Sequence, residues 1–178
     1  MRADVEASVE VLGQLDDGLN DARRCLLIVG TAHASTEITQ DITTNTTWTA
    51  ANGPYIVSKL VVVEQGVTVT LEPGTVVKFN AFSGFTVNGT VIAHGTPANK
   101  IYFTSGNDDS VAGDTNGTDA ATVPKARDWM ALFVPTSGTL DIDNTVVMYG
   151  GGGLCDRCRT AGIFGQGRIK VHNSIISH

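Results

Sequence analysis

Charge, aromatic surface and cysteine are all scarce in this 178-residue chain. Only 17% of its residues are charged and 6% aromatic, and it has 3 cysteines and 5 prolines. So little charge beside 42% hydrophobic residues excludes a disordered chain, whose polarity would prevent core formation. Three cysteines cannot staple a disulfide scaffold, and no apolar run approaches the ~20 residues of a membrane-spanning helix. Basic residues are the minority, 12 Lys and Arg against 18 Asp and Glu, for a net charge of -6 and a pI near 5.0. Such a chain has no electrostatic attraction for a phosphate backbone or an anionic bilayer, so nucleic acid and membrane surfaces are not expected partners. Motifs are missing too. There is no Gly-x-Ser-x-Gly elbow, no Walker loop and no dinucleotide fingerprint, and the histidines His33, His94, His172 and His178 fall in no triad pattern.

What is plentiful is Thr, Val and Gly, at 22, 20 and 20 residues. β-branched residues punctuated by turn formers favour many short strands over helices. The first 36 residues differ from the rest. Val5, Val9, Leu12, Leu15, Leu19 and Leu26 recur at helical spacing, predicting an amphipathic helix over residues 3 to 24. Arg23-Arg24, the apolar run from Cys25 to Gly30 and Ala32-His33-Ala34 carry the ingredients of an export signal. Two readings stay open for this segment, a signal-peptide remnant or a helix that caps the domain.

From Ile38 onward the hydrophobic period becomes two. Val67-Thr68-Val69-Thr70-Leu71, Phe85-Thr86-Val87-Asn88, Leu140-Asp141-Ile142-Asp143 and Ile169-Lys170-Val171-His172 alternate apolar with polar, each followed by a second short strand. Superposing Val67, Phe85, Leu140 and Ile169 gives steps of 18, 55 and 29 residues. The longer steps hold a polar insert, residues 105–128, and a Gly and Cys loop, residues 150–162. A period near ~20 with insertions on one side marks a solenoid whose coils bury their apolar faces against each other. The expected fold is all-β, a right-handed parallel β-helix over residues 37–178 behind the helical or capping segment 1–36. Residues 42 to 54, with Trp48, are a second candidate for covering the first coil. The last strand ends at the chain's final residues without a cover, which predicts either a piece of a longer solenoid or an end that stacks on another molecule.

The run from Thr90 through Ser105, preceded by Leu71-Glu72-Pro73-Gly74-Thr75-Val76-Val77-Lys78-Phe79, resembles the opening coils of bacterial right-handed parallel β-helix proteins of the pectin-lyase-like class. The insert from Asp108 to Asp119, with Asp128-Trp129 after it, is similar to a segment of large secreted or cell-surface members. The resemblance covers about residues 38 to 178. It implies a fold, an extracellular or cell-surface bacterial location and many further coils, but no single activity.

Alternation turns Thr68, Thr70, Thr86, Asn88, Asp141, Asp143, Lys170 and His172 outward. Coils ~4.8 Å apart would bring Asp141 beside Lys170 and Asp143 beside His172, as exposed ion pairs or as a groove for polysaccharide. Thr68, Thr86, Asn88, Asp141 and Lys170 make the expected ligand face, and Asp141, Asp143, Lys170 and His172 the catalytic candidates if the chain is an enzyme. Trp48, Tyr55, Trp129 and Tyr149 are the aromatic rings that could stack on sugars. In the insert, Asp114, Asn116 and Asp119 place alternate oxygens around Gly117, half of a Ca²⁺ loop, without the closing Glu of an EF-hand. A solvated acidic loop is the competing reading. Cys155 and Cys158 form a Cys-x-x-Cys in a Gly-rich loop; a local disulfide, free thiols and a metal site follow in that order of expectation.

Two function classes remain from the sequence. One is a noncatalytic extracellular module with a structural, adhesive or glycan-binding role. The other is a polysaccharide lyase or glycoside hydrolase fragment, and end-to-end self-association is a further alternative.

Overall fold

The computed structural model describes residues 35–118, 122–153 and 162–177, so the helix expected over residues 3 to 24 lies outside the described residues. Fifteen strands follow in order: β1 (Thr36–Ile38), β2 (Thr46–Trp48), β3 (Tyr55–Val57), β4 (Leu60–Val63), β5 (Thr68–Leu71), β6 (Val76–Phe79), β7 (Gly84–Val87) and β8 (Thr90–His94). Then come β9 (Ile101–Ser105), β10 (Leu132–Val134), β11 (Thr139–Asp143), β12 (Thr145–Met148), β13 (Ile163–Gly165), β14 (Arg168–His172) and β15 (Ile175–Ser177). They form three sheets, every pairing in them parallel. Sheet A runs β1-β3-β6-β9-β12-β15, sheet B β4-β7-β10-β13, and sheet C β2-β5-β8-β11-β14. The chain visits B, C and A in turn and then moves one coil along, which is a parallel β-helix.

Alternation explains both the walls and the core. In β5 and β11 the burial alternates residue by residue, because successive side chains point to opposite faces of a strand. Val61, Phe85 and Leu132 project inward from sheet B, Val69, Val91 and Leu140 from C, and Val77, Phe103 and Val147 from A, all at 1% exposure or less. Each such side chain contributes about 1.5–3 kcal/mol of burial. A run of rings threads the core: Trp48 stacks on Tyr55 at 4.6 Å, Phe79 meets Phe85 at 5.2 Å, and Phe79 stacks on Trp129 at 4.3 Å.

Two expectations from the sequence are corrected. The coil has three strands, not two. Val69, Val91, Leu140 and Ile169 are the true sheet C partners, while Phe85 belongs to sheet B between Val61 and Leu132. The sheet B strands hold three or four residues each, and the alternation of Phe85-Thr86-Val87-Asn88 does not by itself show which sheet it belongs to. Trp48, in the segment expected to cover the first coil, sits in β2, the edge strand of sheet C, at 5% exposure and within the core.

The three corners use different chemistry. From B to C, Gly89, Gly138 and Gly167 each stand one residue before a sheet C strand. A Cβ on Gly138 would lie 1.8 Å from the Val87 carbonyl oxygen of the preceding coil. From C to A, single asparagines turn the chain in the left-handed region, Asn144 at φ 46° and Asn173 at φ 45°, which Asn tolerates better than most residues. From A to B the chain makes its long excursions, between β9 and β10 and between β12 and β13. The first of these lies over the outer face of sheet A, where Lys78 and Thr104 are fully buried. Lys78 Nζ donates to the Gly113 carbonyl at 2.6 Å and Thr104 Oγ1 to Asp108 Oδ2 at 2.6 Å. Desolvation pushes the Lys78 pKa down, opposed by the charges of Asp109, Asp108 and Asp114.

Candidate functional site

Sheet C is the wall whose outer face carries most of the candidates. Its register sets three outward rows. Thr68, Thr90, Thr139 and Arg168 form one, and Thr70, Ile92, Asp141 and Lys170 the next. His94, Asp143 and His172 form the third. The face thus passes from threonine at the early coils to charge at the late ones.

Asp141 is the centre of the charged part. Lys170 Nζ, one coil on, donates to its Oδ2 at 2.5 Å, and the His94 ring nitrogen Nε2, one coil back, pairs with its Oδ1 at 3.0 Å. Both oxygens are therefore engaged, and the side chain is only 18% exposed. The hydrogen bond from Lys170, then that from His94, holds the Asp141 carboxyl below the usual carboxylate range. Asp143 stands opposite His172 in register, but no ion pair joins them. Its Oδ1 instead accepts from the Asn144 and Asn173 amides at 3.1 and 2.9 Å.

This arrangement does not suit the proton-donating role of a glycosidase. A glycosidase acid must hold its proton near neutral pH, which needs a raised pKa. Asp141 is shifted the opposite way. Lys170, tied to a carboxylate, is also poorly placed to act as a base.

The remaining sequence candidates scatter. Thr68, Asp141 and Lys170 share sheet C, but Thr86 lies in β7 on sheet B, between Val62 and Phe133. Asn88 is in the turn after β7, its backbone N–H donating to the Val63 carbonyl. The expected five-residue ligand face is therefore split between two walls, a direct result of the misplaced coil phase. Trp48, Tyr55 and Trp129 are buried at 5%, 3% and 0% exposure, so none of them can stack on a ligand. Trp129 instead donates its Nε1–H to the Met148 carbonyl at 2.8 Å.

The calcium half-loop has its oxygens turned on itself. Asp114 Oδ1 accepts the backbone N–H groups of Asn116 and Gly117 at 3.0 and 2.8 Å, and Asn116 Oδ1 accepts from the Thr118 N–H and hydroxyl at 3.2 and 2.6 Å. Among the described residues no three His, Cys, Asp or Glu side chains come together to hold a metal. Asp119, Cys155 and Cys158 lie outside the described residues. Among the described residues, too, no helix is long and apolar enough to cross a membrane.

His94 is the member of the charged cluster that sequence reading missed. Its signal was present in the five-residue phrases Thr90-Val91-Ile92-Ala93-His94, Thr139-Leu140-Asp141-Ile142-Asp143 and Arg168-Ile169-Lys170-Val171-His172. Aligned in that phase, the fifth position brings His94 to the Asp and Lys coils. Comparison with protein-family models, curated proteins and solved structures finds no match to this chain.

Proposed function

We propose that the chain is a noncatalytic module of the pectin-lyase-like β-helix class that works outside the cell or at its surface. In this reading, sheet C is presented to a polysaccharide or other cell-surface component. The observation that carries it is the state of Asp141, an outward carboxylate of the late coils. Pinned between Lys170 and His94, it is a fixed anion in a charged rung rather than a proton donor. The alternative, a lyase or glycoside hydrolase fragment, would need that carboxylate or Lys170 free.

A glycan array probed with and without Ca²⁺, followed by product analysis on every bound glycan, tests the reading. The expected result is binding that is indifferent to Ca²⁺ and leaves the glycan intact. New reducing ends or unsaturated ends would overturn it in favour of the enzyme.

A further inference from the structure

The corner where sheet A hands the chain to sheet B carries a groove of about 380 Å³. Three successive connections build it. Phe82 comes from the turn between β6 and β7, Lys125, Arg127 and Met130 from the end of the insert with Trp129 behind them, and Gly152-Gly153 from the connection after β12.

Two of its side chains are held there at a conformational cost. Phe82 has φ 61° and Arg127 φ 72°, in the left-handed region where bulky residues are rarely found. Core burial does not account for either. Phe82 is 72% exposed, and Arg127 is exposed as well. Both residues line the groove.

The charges are arranged for an anion. Lys125 and Arg127 make no ion pair among the described residues. Asp128, the single carboxylate on the lining, is turned into the wall, its Oδ2 accepting from the Ser105 hydroxyl at 2.8 Å, the Asn107 amide at 3.3 Å and the Lys125 N–H at 3.1 Å. Two exposed cationic residues therefore line the groove on a chain whose net charge is -6. A guanidinium fork beside an ammonium matches a phosphate group, whose two charges call for two cations. The exposed Phe82 ring beside them offers an apolar plate for a sugar ring.

We propose that this groove binds a phosphorylated saccharide. The proposal rests on the reading of the chain as a glycan-binding module, but assigns the anion-recognising site to the A-to-B corner instead of sheet C. The test titrates the 178-residue chain with glucose 1-phosphate, glucuronate and glucose, following backbone amide shifts. Glucose 1-phosphate is expected to move the Phe82 and Arg127 amides and to bind at least tenfold more tightly than glucuronate, with glucose silent. Arg127→Gly relieves the positive φ while deleting the cation, so it is expected to keep or raise the urea midpoint and to lose at least tenfold in affinity. Phe82→Gly is expected to do the same, and Asp141→Asn on sheet C to leave binding unchanged. Full affinity in folded Arg127→Gly, equal binding of glucuronate, or no binding of glucose 1-phosphate would overturn the proposal. The two readings fail separately. Glycan-array binding beside a failed glucose 1-phosphate titration removes the groove and keeps the module, whereas a blank array beside a positive titration removes the module and keeps the groove.

Discussion

Replacing Gly138 by alanine should open a seam between two coils, and the size of the effect follows from the geometry. The added Cβ would sit 1.8 Å from the Val87 carbonyl oxygen, where real contacts stay above 3.0 Å. The obstacle is backbone and cannot rotate away, so the coils must part by more than an ångström at that corner. Three hydrogen bonds meet there: Gly138 N–H to the Pro135 carbonyl at 2.8 Å, Thr139 N–H to Gly89 at 2.9 Å and Arg168 N–H to Gly138 at 2.9 Å. Loss of two of them, at about 1–3 kcal/mol for each group left unpaired, costs about 2–6 kcal/mol. Gly66→Ala is the control. Gly66 has φ 82° and open space around its Cβ position, so only the left-handed conformation is penalised, at about 1–2 kcal/mol. With a urea slope of about 2 kcal/mol per molar, Gly138→Ala should lower the midpoint by about 1–3 M and Gly66→Ala by about 0.5–1 M. Equal shifts for the two variants would refute the close packing of coils at this corner.

Further outcomes follow from other parts of the molecule. Because hydrogen bonds from Lys170 and His94 depress the Asp141 pKa in the folded state, its stabilisation is present above the unfolded value near 3.9 and lost as pH falls through the folded one. The gap in urea midpoint between the wild type and Asp141→Asn should therefore be present at pH 6, amount to no more than about 1 kcal/mol for a surface cluster, and close near pH 2; a pH-independent gap contradicts this. Lys78→Met removes the buried donor to the Gly113 carbonyl and should speed proteolysis within residues 106–118 while leaving the coil intact, with cleavage sites mapped by mass spectrometry. Since burial lowers the Lys78 pKa, wild-type stability should rise as pH climbs from the folded value towards 10.5, and the variant should lack that rise. Trp129→Phe keeps the stack on Phe79 but leaves the Met148 carbonyl unpaired; a loss of about 1–3 kcal/mol is expected in urea melts, and no change would argue against that bond.

What the sequence made legible, and what it hid, depended on strand length. The five-residue strands of sheet C display their alternation openly, so the pairing of Asp141 with Lys170 follows from the sequence alone. The other short strands of sheet B gave no such signal and the alternation of Phe85-Thr86-Val87-Asn88 did not show its sheet, so Val67 to Phe85 passed for a whole coil when it only carries the chain from sheet C into sheet B of the following coil. Every misplaced candidate traces to that slip, including Thr86 and Asn88 on the ligand face and the overlooked His94. The long excursions were correctly placed on one side because length and polarity survive a phase error. The groove they form was not legible. Phe82 is far in sequence from Lys125 and Arg127, and their grouping depends on connections leaving from the same corner.

The central claim is the three-strand coil and its register, and cross-linking between engineered cysteines tests it most directly. In a background with Cys25, Cys155 and Cys158 replaced by serine, Thr90→Cys with Thr139→Cys places the pair on adjacent, in-register strands, ~4.8 Å apart and within disulfide reach. Thr68→Cys with Thr86→Cys is the pair that a two-strand coil would juxtapose, but it lies on different sheets. Rapid, near-complete oxidation of the first pair and none of the second is the predicted result. Cross-linking of the second pair in place of the first would contradict the three-strand coil.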